Sequence, residues 1–207
     1  MSRLRLFSIL LLVFSTHIAL SEEKGEALLQ DGAVASNQQY EYRLLATSKT
    51  STMQKEMDEA GRAGFRIAGV MGGETAFGGS EVVVVMSRDQ ENPNEGDYQY
   101  KLLATSKTST MQKELQEAGD EGFEYRGQTV FKTKFGGQEV VLILEHDRKD
   151  PSSHNEYKLL ATSKTSTMQK ELSEAGNAGF EFIGFTVGTT RFGGAELVSI
   201  LRRQASR

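Results

Sequence analysis

One polar block of thirteen residues occurs three times in this chain without a change of letter. The block is LLATSKTSTMQKE, and it occupies residues 44–56, 102–114 and 159–171. The tyrosines that precede it, Tyr42, Tyr100 and Tyr157, align with periods of 58 and 57 residues. Internal periods of this order are typical of arrays in which each repeat is one supersecondary unit. We therefore predict three related units, at residues 40–87, 98–145 and 156–203.

Each unit begins with the pattern of a β-strand. In the first unit Tyr40, Tyr42, Leu44 and Ala46 alternate with other residues, as on a strand with one buried face. Two further strands are predicted, one from Phe65 and one at residues 81–86. The order within a unit is therefore strand, helix, strand, strand.

The segment between the first two strands has the period of an amphipathic helix. Its apolar face holds Met53, Met57, Ala60, Gly61 and Gly64. Residues 54–56, 58 and 59 are predicted to face solvent. Ser51 followed by Gln54 matches a capping box, and the glycines at 61 and 64 are predicted to end the helix.

The third strand of each unit is apolar on both faces, at residues 82–86, 140–144 and 197–201. A strand that is buried on both faces lies in the middle of its sheet, so the predicted strand order is 1-3-2. The predicted fold class is α+β, with three tandem β-α-β-β repeats. Each repeat is a three-stranded mixed sheet with one helix on one face, in a right-handed crossover. Units this small are near the lower limit for folding alone, so we expect them to pack sheet against sheet or on a second chain.

These letters resemble a known family. They are YEYRLL, YQYKLL and EYKLL at the strand starts, ELQEAGDEGFEY and ELSEAGNAGFEF at the helix ends, and EVVLILE as a final strand. They are similar to the small bacterial domain of unknown function numbered 4177, over nearly all of each unit. The resemblance implies a β-α-β-β fold and assigns no functional residues. The ATSKTST turn departs from that family, in which this stretch is usually variable.

The N-terminal residues have the layout of a secretory signal peptide. Arg3 and Arg5 precede an apolar stretch at residues 6–20, and cleavage is predicted after Ser21. An uncleaved anchor is the alternative, but the stretch is shorter than the roughly 20 residues that span a bilayer. We predict an exported protein, periplasmic or secreted, with a signal peptide at 1–21, a flexible polar lead at 22–39 and no membrane span after cleavage.

Charge and composition restrict the classes of partner and of chemistry. Without Arg3 and Arg5 the chain has 22 basic and 28 acidic residues, a net charge of −6. Such a chain has no general attraction for nucleic acid. It has no cysteine, which excludes disulfides, thiolate metal sites and a cysteine nucleophile. No nucleic-acid partner and no cofactor are predicted.

Catalytic constellations are scarce in this sequence. Outside the predicted signal peptide the histidines are His146 and His154. Both lie in the second of two charged segments, residues 87–97 and 145–156, which are predicted to be solvated linkers. The predicted repeats thus offer no imidazole for a triad or a zinc site. No catalytic residue and no metal site are predicted, and an enzyme is the least favoured class of function.

The turn inside the repeated block is the candidate site. A helix needs one hydroxyl cap, so structure alone accounts for about two of the six repeated letters at residues 47–52. The segments after the helices, by contrast, share little. Hydroxyls, one lysine and free amides at a helix N-terminus are suited to an anion. The predicted ligand-binding residues are Ser48, Lys49, Thr50, Ser51, Thr52, Ser106, Lys107, Thr108, Ser109, Thr110, Ser163, Lys164, Thr165, Ser166 and Thr167.

Three such turns on one chain predict avidity for a repeating ligand. The leading hypothesis is an exported, non-catalytic binding or interaction protein, whose partner is an anionic small molecule, an envelope polymer or a protein. The alternative is a scaffold or homo-oligomer, in which the turns pack around a pseudo-threefold axis or form subunit contacts. In a third interpretation the turn is only a helix cap and a solvated loop, kept identical by recombination between copies.

Overall fold

A computed structural model of the chain describes residues 38–75, 79–93, 96–132, 138–150, 154–189 and 194–205. The predicted signal peptide and most of the predicted polar lead lie outside these residues. The described part consists of three units, each with a strand, a helix and two more strands in chain order. The predicted α+β class and the predicted order of elements are confirmed.

The twelve elements follow the three repeats. The first repeat contains β1 (Tyr40–Thr47), α1 (Thr50–Arg62), β2 (Arg66–Thr75) and β3 (Gly79–Asp89). The second contains β4 (Tyr98–Thr105), α2 (Thr108–Asp120), β5 (Glu124–Lys132) and β6 (Gln138–Asp147). The third contains β7 (Asn155–Thr162), α3 (Thr165–Asn177), β8 (Glu181–Thr189) and β9 (Ala195–Gln204).

Each sheet has its last strand in the middle. The strand orders are β1-β3-β2, β4-β6-β5 and β7-β9-β8, which confirms the order predicted from the two apolar faces of that strand. The sheets are antiparallel rather than mixed as predicted, because both outer strands pair antiparallel with the central one. The outer strands run parallel to each other, but the central strand separates them.

The helix ends are only partly as predicted. The N-cap residues are Lys49, Lys107 and Lys164, and no side chain caps any of the three helices. The capping box of Ser51 and Gln54 is therefore wrong. At the other end Gly64 has a φ of 81°, and the amide of Phe65 donates to the carbonyl of Ala60 at 3.0 Å. A left-handed glycine thus ends α1 as predicted.

The first two helices each lie between two sheets. Met53, Met57 and Ala60 of α1 pack on Val84 and Met86 of β3. The same cluster contains side chains from the second sheet, namely Tyr98, Tyr100, Val141 and Ile143. The helix α2 is enclosed in the same way by the second and third sheets. Sheets and helices therefore alternate through the array, and β2 also contacts β5 directly, as β5 does β8.

The repeats contact one another in series, the first with the second and the second with the third. Within the described residues the first and third repeats share no extensive contact, so the array has two ends rather than a threefold axis. At one end, Tyr40, Tyr42 and Leu44 are 45%, 64% and 69% exposed, although the strand pattern predicted that they are buried. Among the described residues no helix packs on this face of β1, as α1 packs on β4 and α2 on β7.

Part of the second predicted linker belongs to the core. Glu145 lies in β6 and Asn155 in β7, and each is 2% exposed. His146 also lies in β6, with its ring 5.5 Å from that of Phe123. The sequence pattern misplaced these residues because polar letters at the end of a strand look like a linker.

Candidate functional site

The fifteen predicted ligand-binding residues lie at equivalent places, at the strand-to-helix turn and in the first turn of each helix. The three lysines, Lys49, Lys107 and Lys164, are exposed. Each lysine amide donates to the hydroxyl of the last strand residue, Thr47, Thr105 or Thr162, at 3.2, 3.3 and 3.1 Å. That threonine belongs to the repeated block but not to the predicted set. The hydrogen bond that this threonine accepts holds the turn, which explains why the repeated block has a threonine there.

The three turns differ in exposure. In the first, Ser48, Lys49 and Ser51 are exposed, whereas Thr50 and Thr52 are half-buried. In the second the half-buried residues are Ser106, Thr108 and Thr110, and the exposed ones are Lys107 and Ser109. In the third all five are exposed, from Ser163 and Lys164 through Thr165 and Ser166 to Thr167. The exposure is therefore greatest in the turn of the third repeat.

One carboxylate connects the second and third turns. The hydroxyl of Thr108 donates to Oε1 of Glu196 at 2.5 Å. Glu196 also lines a cleft of about 340 Å³ beside the third turn, which contributes residues 162–165. Met168, Val187 and Leu197 supply apolar walls. The cleft is thus lined by the lysine of the third turn, by a carboxylate and by apolar side chains.

The glutamine of the repeated block binds the following repeat. Gln54 was predicted to face solvent, but its amide nitrogen donates to the carbonyl of Tyr100 at 2.5 Å. Its amide oxygen accepts from the backbone N–H of Leu102 at 2.8 Å. Gln112 makes both bonds to β7 in the same way. Because β4 and β7 are edge strands, these amides satisfy backbone groups that a neighbouring strand would otherwise pair.

A second helix position supports the same contact. Asp58 was also predicted to face solvent, but its Oδ1 accepts from the backbone N–H of Tyr100 at 2.9 Å. In α2 the oxygen of Gln116 accepts from Tyr157 at the same distance. Sequence reasoning missed these residues, although the identity of the glutamine in all three blocks was a signal for one of them.

A glycine lets the next strand approach the helix closely. A methyl group at Gly61 would overlap the carbonyl oxygen of Tyr98, and one at Gly119 would overlap that of Asn155. A methyl group at Gly176 would meet nothing within 4 Å. Both α1 and α2 therefore present a contact face to the first strand of the next repeat, and α3 has residues at the equivalent positions. We define this helix contact face as Gln54, Asp58 and Gly61 in α1, Gln112, Gln116 and Gly119 in α2, and Gln169, Ser173 and Gly176 in α3.

A buried polar network lies at the first junction between repeats. The hydroxyl of Tyr100 donates to Oε2 of Glu145 at 2.8 Å and accepts from the backbone N–H of Ile67 at 3.2 Å. Arg66 and Arg126 each bind Oε1 of Glu145 at 2.9 Å. The buried carboxylate thus has two guanidinium partners and a hydroxyl donor. Burial, followed by the charge of Glu145 and the hydrogen bond to it, raises the pKa of the Tyr100 hydroxyl well above its usual range.

The second junction has an equivalent tyrosine, Tyr157, but a positive charge where the first junction has a carboxylate. The hydroxyl of Tyr157 accepts from the backbone N–H of Tyr125 at 2.7 Å and donates to the carbonyl of Phe123 at 3.0 Å. Burial raises the pKa of Tyr157 to about 12. An arginine, Arg202, replaces the carboxylate of the first junction and lies 3.5 Å from Glu124. A tyrosine from each following repeat is therefore the common element of both junctions.

The two ends of the array carry the exposed apolar side chains. Among the described residues, the exposed large hydrophobic side chains are Tyr40, Tyr42, Leu44, Met71, Phe182, Phe185, Val187 and Leu197. The first four lie in the first repeat and form what we call the strand end face. The other four lie in the third repeat and, with the contact face of α3, form the helix end face. The middle repeat contributes none of them, because both of its faces are covered.

Other kinds of site receive no support from the described geometry. Within the described ranges, no three histidine or acidic side chains are grouped so as to hold a metal ion. No helix in that part of the chain is long and apolar enough to cross a membrane. Comparison with protein-family models, with curated proteins and with solved structures finds no match. The resemblance to family 4177 therefore stays a prediction.

Proposed function

We propose that this protein is an exported, non-catalytic interaction protein whose contact surfaces are the two end faces of its array. The distribution of exposed apolar side chains carries the proposal. Four are exposed in the first repeat and four in the third, against none in the described part of the middle repeat. Apolar side chains grouped on a surface in this way are typical of protein contact sites.

The strand end face has the chemistry of an interface. The rings of Tyr40 and Tyr42 lie 6.3 Å apart, beside Leu44. Tyrosine is enriched in protein interfaces, because a rigid ring supplies apolar area and its hydroxyl supplies a hydrogen bond. The strand beneath them, β1, lies at the edge of its sheet. An edge strand also offers backbone groups to a partner.

The helix end face is apolar and concave. The rings of Phe182 and Phe185 lie 4.6 Å apart. Two other residues of this face, Val187 and Leu197, line the cleft of about 340 Å³. A concave apolar surface next to an exposed helix is suited to receiving a partner side chain.

Site-specific photo-cross-linking in the producing cell tests this function. A photoreactive residue replaces Tyr42 in one variant, Phe182 in a second and, as the control, Lys113 on the exposed surface of the middle repeat in a third. We expect protein adducts at positions 42 and 182 and none at position 113. The absence of protein adducts at both end positions would contradict the proposal.

A second candidate function is anion binding at the three turns. The cleft of about 340 Å³ favours it, since Lys164, Ser163 and Thr165 of the third turn line this cleft. Glu196 lines the same cleft and opposes an anion there. Anion binding therefore ranks below protein contact.

A further inference from the structure

We propose that the helix end face binds the strand end face of a second copy of this chain, in a head-to-tail contact. The inference rests on the proposed function and names the partner. Its basis is that the same contact already occurs twice inside the chain, where α1 packs on β4 and α2 packs on β7. Among the described residues no helix packs on β1 in the way that α1 packs on β4. Likewise, no strand of a further repeat packs on α3 in the way that β7 packs on α2.

The strand end face carries the residues that the helices bind inside the chain. Tyr42 and Leu44 of β1 correspond to Tyr100 and Leu102 of β4. They also correspond to Tyr157 and Leu159 of β7. Tyr100 is 2% exposed and Tyr157 is 3% exposed, whereas Tyr42 is 64% exposed. The equivalent tyrosines are therefore buried where α1 or α2 packs on their strand, whereas Tyr42 is open because no helix of the described residues packs on its face of β1.

The helix end face carries the matching hydrogen-bonding groups. Gln112 binds the backbone of both Tyr157 and Leu159. Among the described residues, by contrast, the amide nitrogen of Gln169 donates to the hydroxyl of Ser173 in its own helix, at 3.4 Å. In the head-to-tail contact, the amide nitrogen of Gln169 would donate to the carbonyl of Tyr42 of the second copy. Its amide oxygen would accept from the N–H of Leu44. Ser173 is the residue of α3 that is equivalent to Asp58 of α1, and Asp58 accepts a hydrogen bond from the N–H of Tyr100.

Space for the incoming strand is already present. Gly61 and Gly119 are buried under the strands that follow them, while Gly176 is exposed and has an open space where a side chain would project. Each of these glycines is the penultimate residue of its helix, where a glycine costs less than in a helix interior. The close approach of a strand explains the glycines in α1 and α2, and a second copy supplies the same explanation for α3.

The third repeat also has a place for the tyrosine hydroxyl. Tyr157 inserts between the N–H of Tyr125 and the carbonyl of Phe123. The equivalent groups of the third repeat belong to Phe182 and Phe180. Phe182 is 45% exposed, so this part of the helix end face is accessible to Tyr42 of another copy.

One component of the internal junctions has no equivalent at the ends. Ser87 stands where Glu145 and Arg202 stand in the other two repeats. The contact between copies therefore lacks the buried ion pair, and we expect it to be weaker than the internal junctions and to depend on concentration. A head-to-tail contact is heterologous, so it produces either a closed ring or an open chain of copies.

Light scattering of the purified protein tests the inference over concentrations from about 1 μM to about 1 mM. We expect the mass of the wild type to rise above that of the monomer with concentration. Gly176→Ala blocks the helix end, Tyr42→Glu blocks the strand end, and each variant is expected to stay monomeric. Lys170→Ala, a change on the solvent side of α3, is expected to associate as the wild type does. Circular dichroism of each variant checks that the fold is kept.

A mixing experiment identifies the geometry. Gly176→Ala keeps an intact strand end and Tyr42→Glu keeps an intact helix end, so an equimolar mixture is expected to form a dimer that cannot extend. A symmetric contact of one face with itself predicts no such dimer.

The inference and the proposed function fail in different ways. A wild type that stays monomeric over the whole range overturns the second copy as partner. So does association that neither variant weakens. If cross-links from positions 42 and 182 then lead to other proteins, the interaction function still stands. If those positions give no adduct with any protein, both proposals fail.

Discussion

The hydroxyl of Tyr100 lies 2.8 Å from the buried carboxylate of Glu145, and the same carboxylate binds Arg66 of the preceding repeat. A residue that looks like part of a linker in the sequence thus joins two repeats. A carboxylate buried at a junction is stabilising only while its hydrogen-bonding partners remain. The stability of the array should therefore be sensitive to single changes at its junctions.

Glu145→Ala is expected to lower the free energy of unfolding by about 2 kcal/mol. It leaves Arg66 and Arg126 without their common partner and the Tyr100 hydroxyl without its acceptor. The two guanidinium groups are partly exposed, at 47% and 31%, so water offsets part of the loss. Urea unfolding measures the change.

Glu59→Ala is the matched control for this change. Glu59 forms an exposed pair with Lys55 within α1, and such pairs contribute about 0.5 kcal/mol or less. Equal losses in the two variants would show that the junction network adds no stability beyond that of a surface ion pair.

The buried tyrosines predict a loss of stability at high pH. Burial raises the pKa of Tyr157 and of Tyr125 to about 12, and the pKa of Tyr100 is raised further. In the unfolded chain a tyrosine has a pKa of about 10. The folded protein therefore holds these protons more tightly, so the stabilisation is complete below pH 10 and is lost as the pH rises above it.

Tyr100→Phe separates the contribution of one hydroxyl. Above about pH 10 the free energy of unfolding of the wild type should fall more steeply than that of the variant, by about 1.4 kcal/mol per pH unit. Urea unfolding at a series of alkaline pH values measures both slopes. Parallel curves would contradict the role given to the Tyr100 hydroxyl.

The sequence predicts the single repeat better than the contacts between repeats. The two apolar faces of residues 82–86 were sufficient to place β3 in the middle of its sheet, and Gly64 was sufficient to end α1. These signals are local, because they depend on residues close in sequence. Gln54 was assigned to solvent because its partners, Tyr100 and Leu102, lie in the next repeat, and helix periodicity says nothing about them.

The glycines of the helix contact faces predict opposite effects of one substitution. Gly119→Ala places a methyl group on the carbonyl oxygen of Asn155 and should destabilise the protein by about 2 kcal/mol. Gly176→Ala meets nothing within 4 Å and, at the penultimate position of α3, should stabilise the monomer by up to about 0.5 kcal/mol, less than in a helix interior. Thermal unfolding at low protein concentration measures both. A gain of stability from both changes would contradict the close approach of β7 to α2.

Anion binding at the turns makes a separate prediction. Phosphate and sulfate should raise the melting temperature of the wild type, and the triple variant Lys49, Lys107, Lys164→Ala should lose that increase. The lysine side chains are exposed, so the triple variant is expected to fold as the wild type does. A triple variant that keeps the full increase would remove the turns from consideration as anion sites.

The repeated glutamine gives the most direct comparison of an occupied helix face with an open one. Gln112→Ala leaves the carbonyl of Tyr157 and the N–H of Leu159 without their partner at a half-buried position, and we expect a loss of about 2 kcal/mol in urea unfolding. Gln169→Ala should change the stability of the monomer by less than about 0.5 kcal/mol, since Gln169 is exposed and, within the described part of the chain, its side chain bonds to Ser173 of the same helix. The effects on self-association in concentrated solution are expected to be the opposite. Gln169→Ala should weaken self-association, whereas Gln112→Ala should not. An unchanged mass for Gln169→Ala at high concentration would mean that this amide does not hold the strand of a second copy.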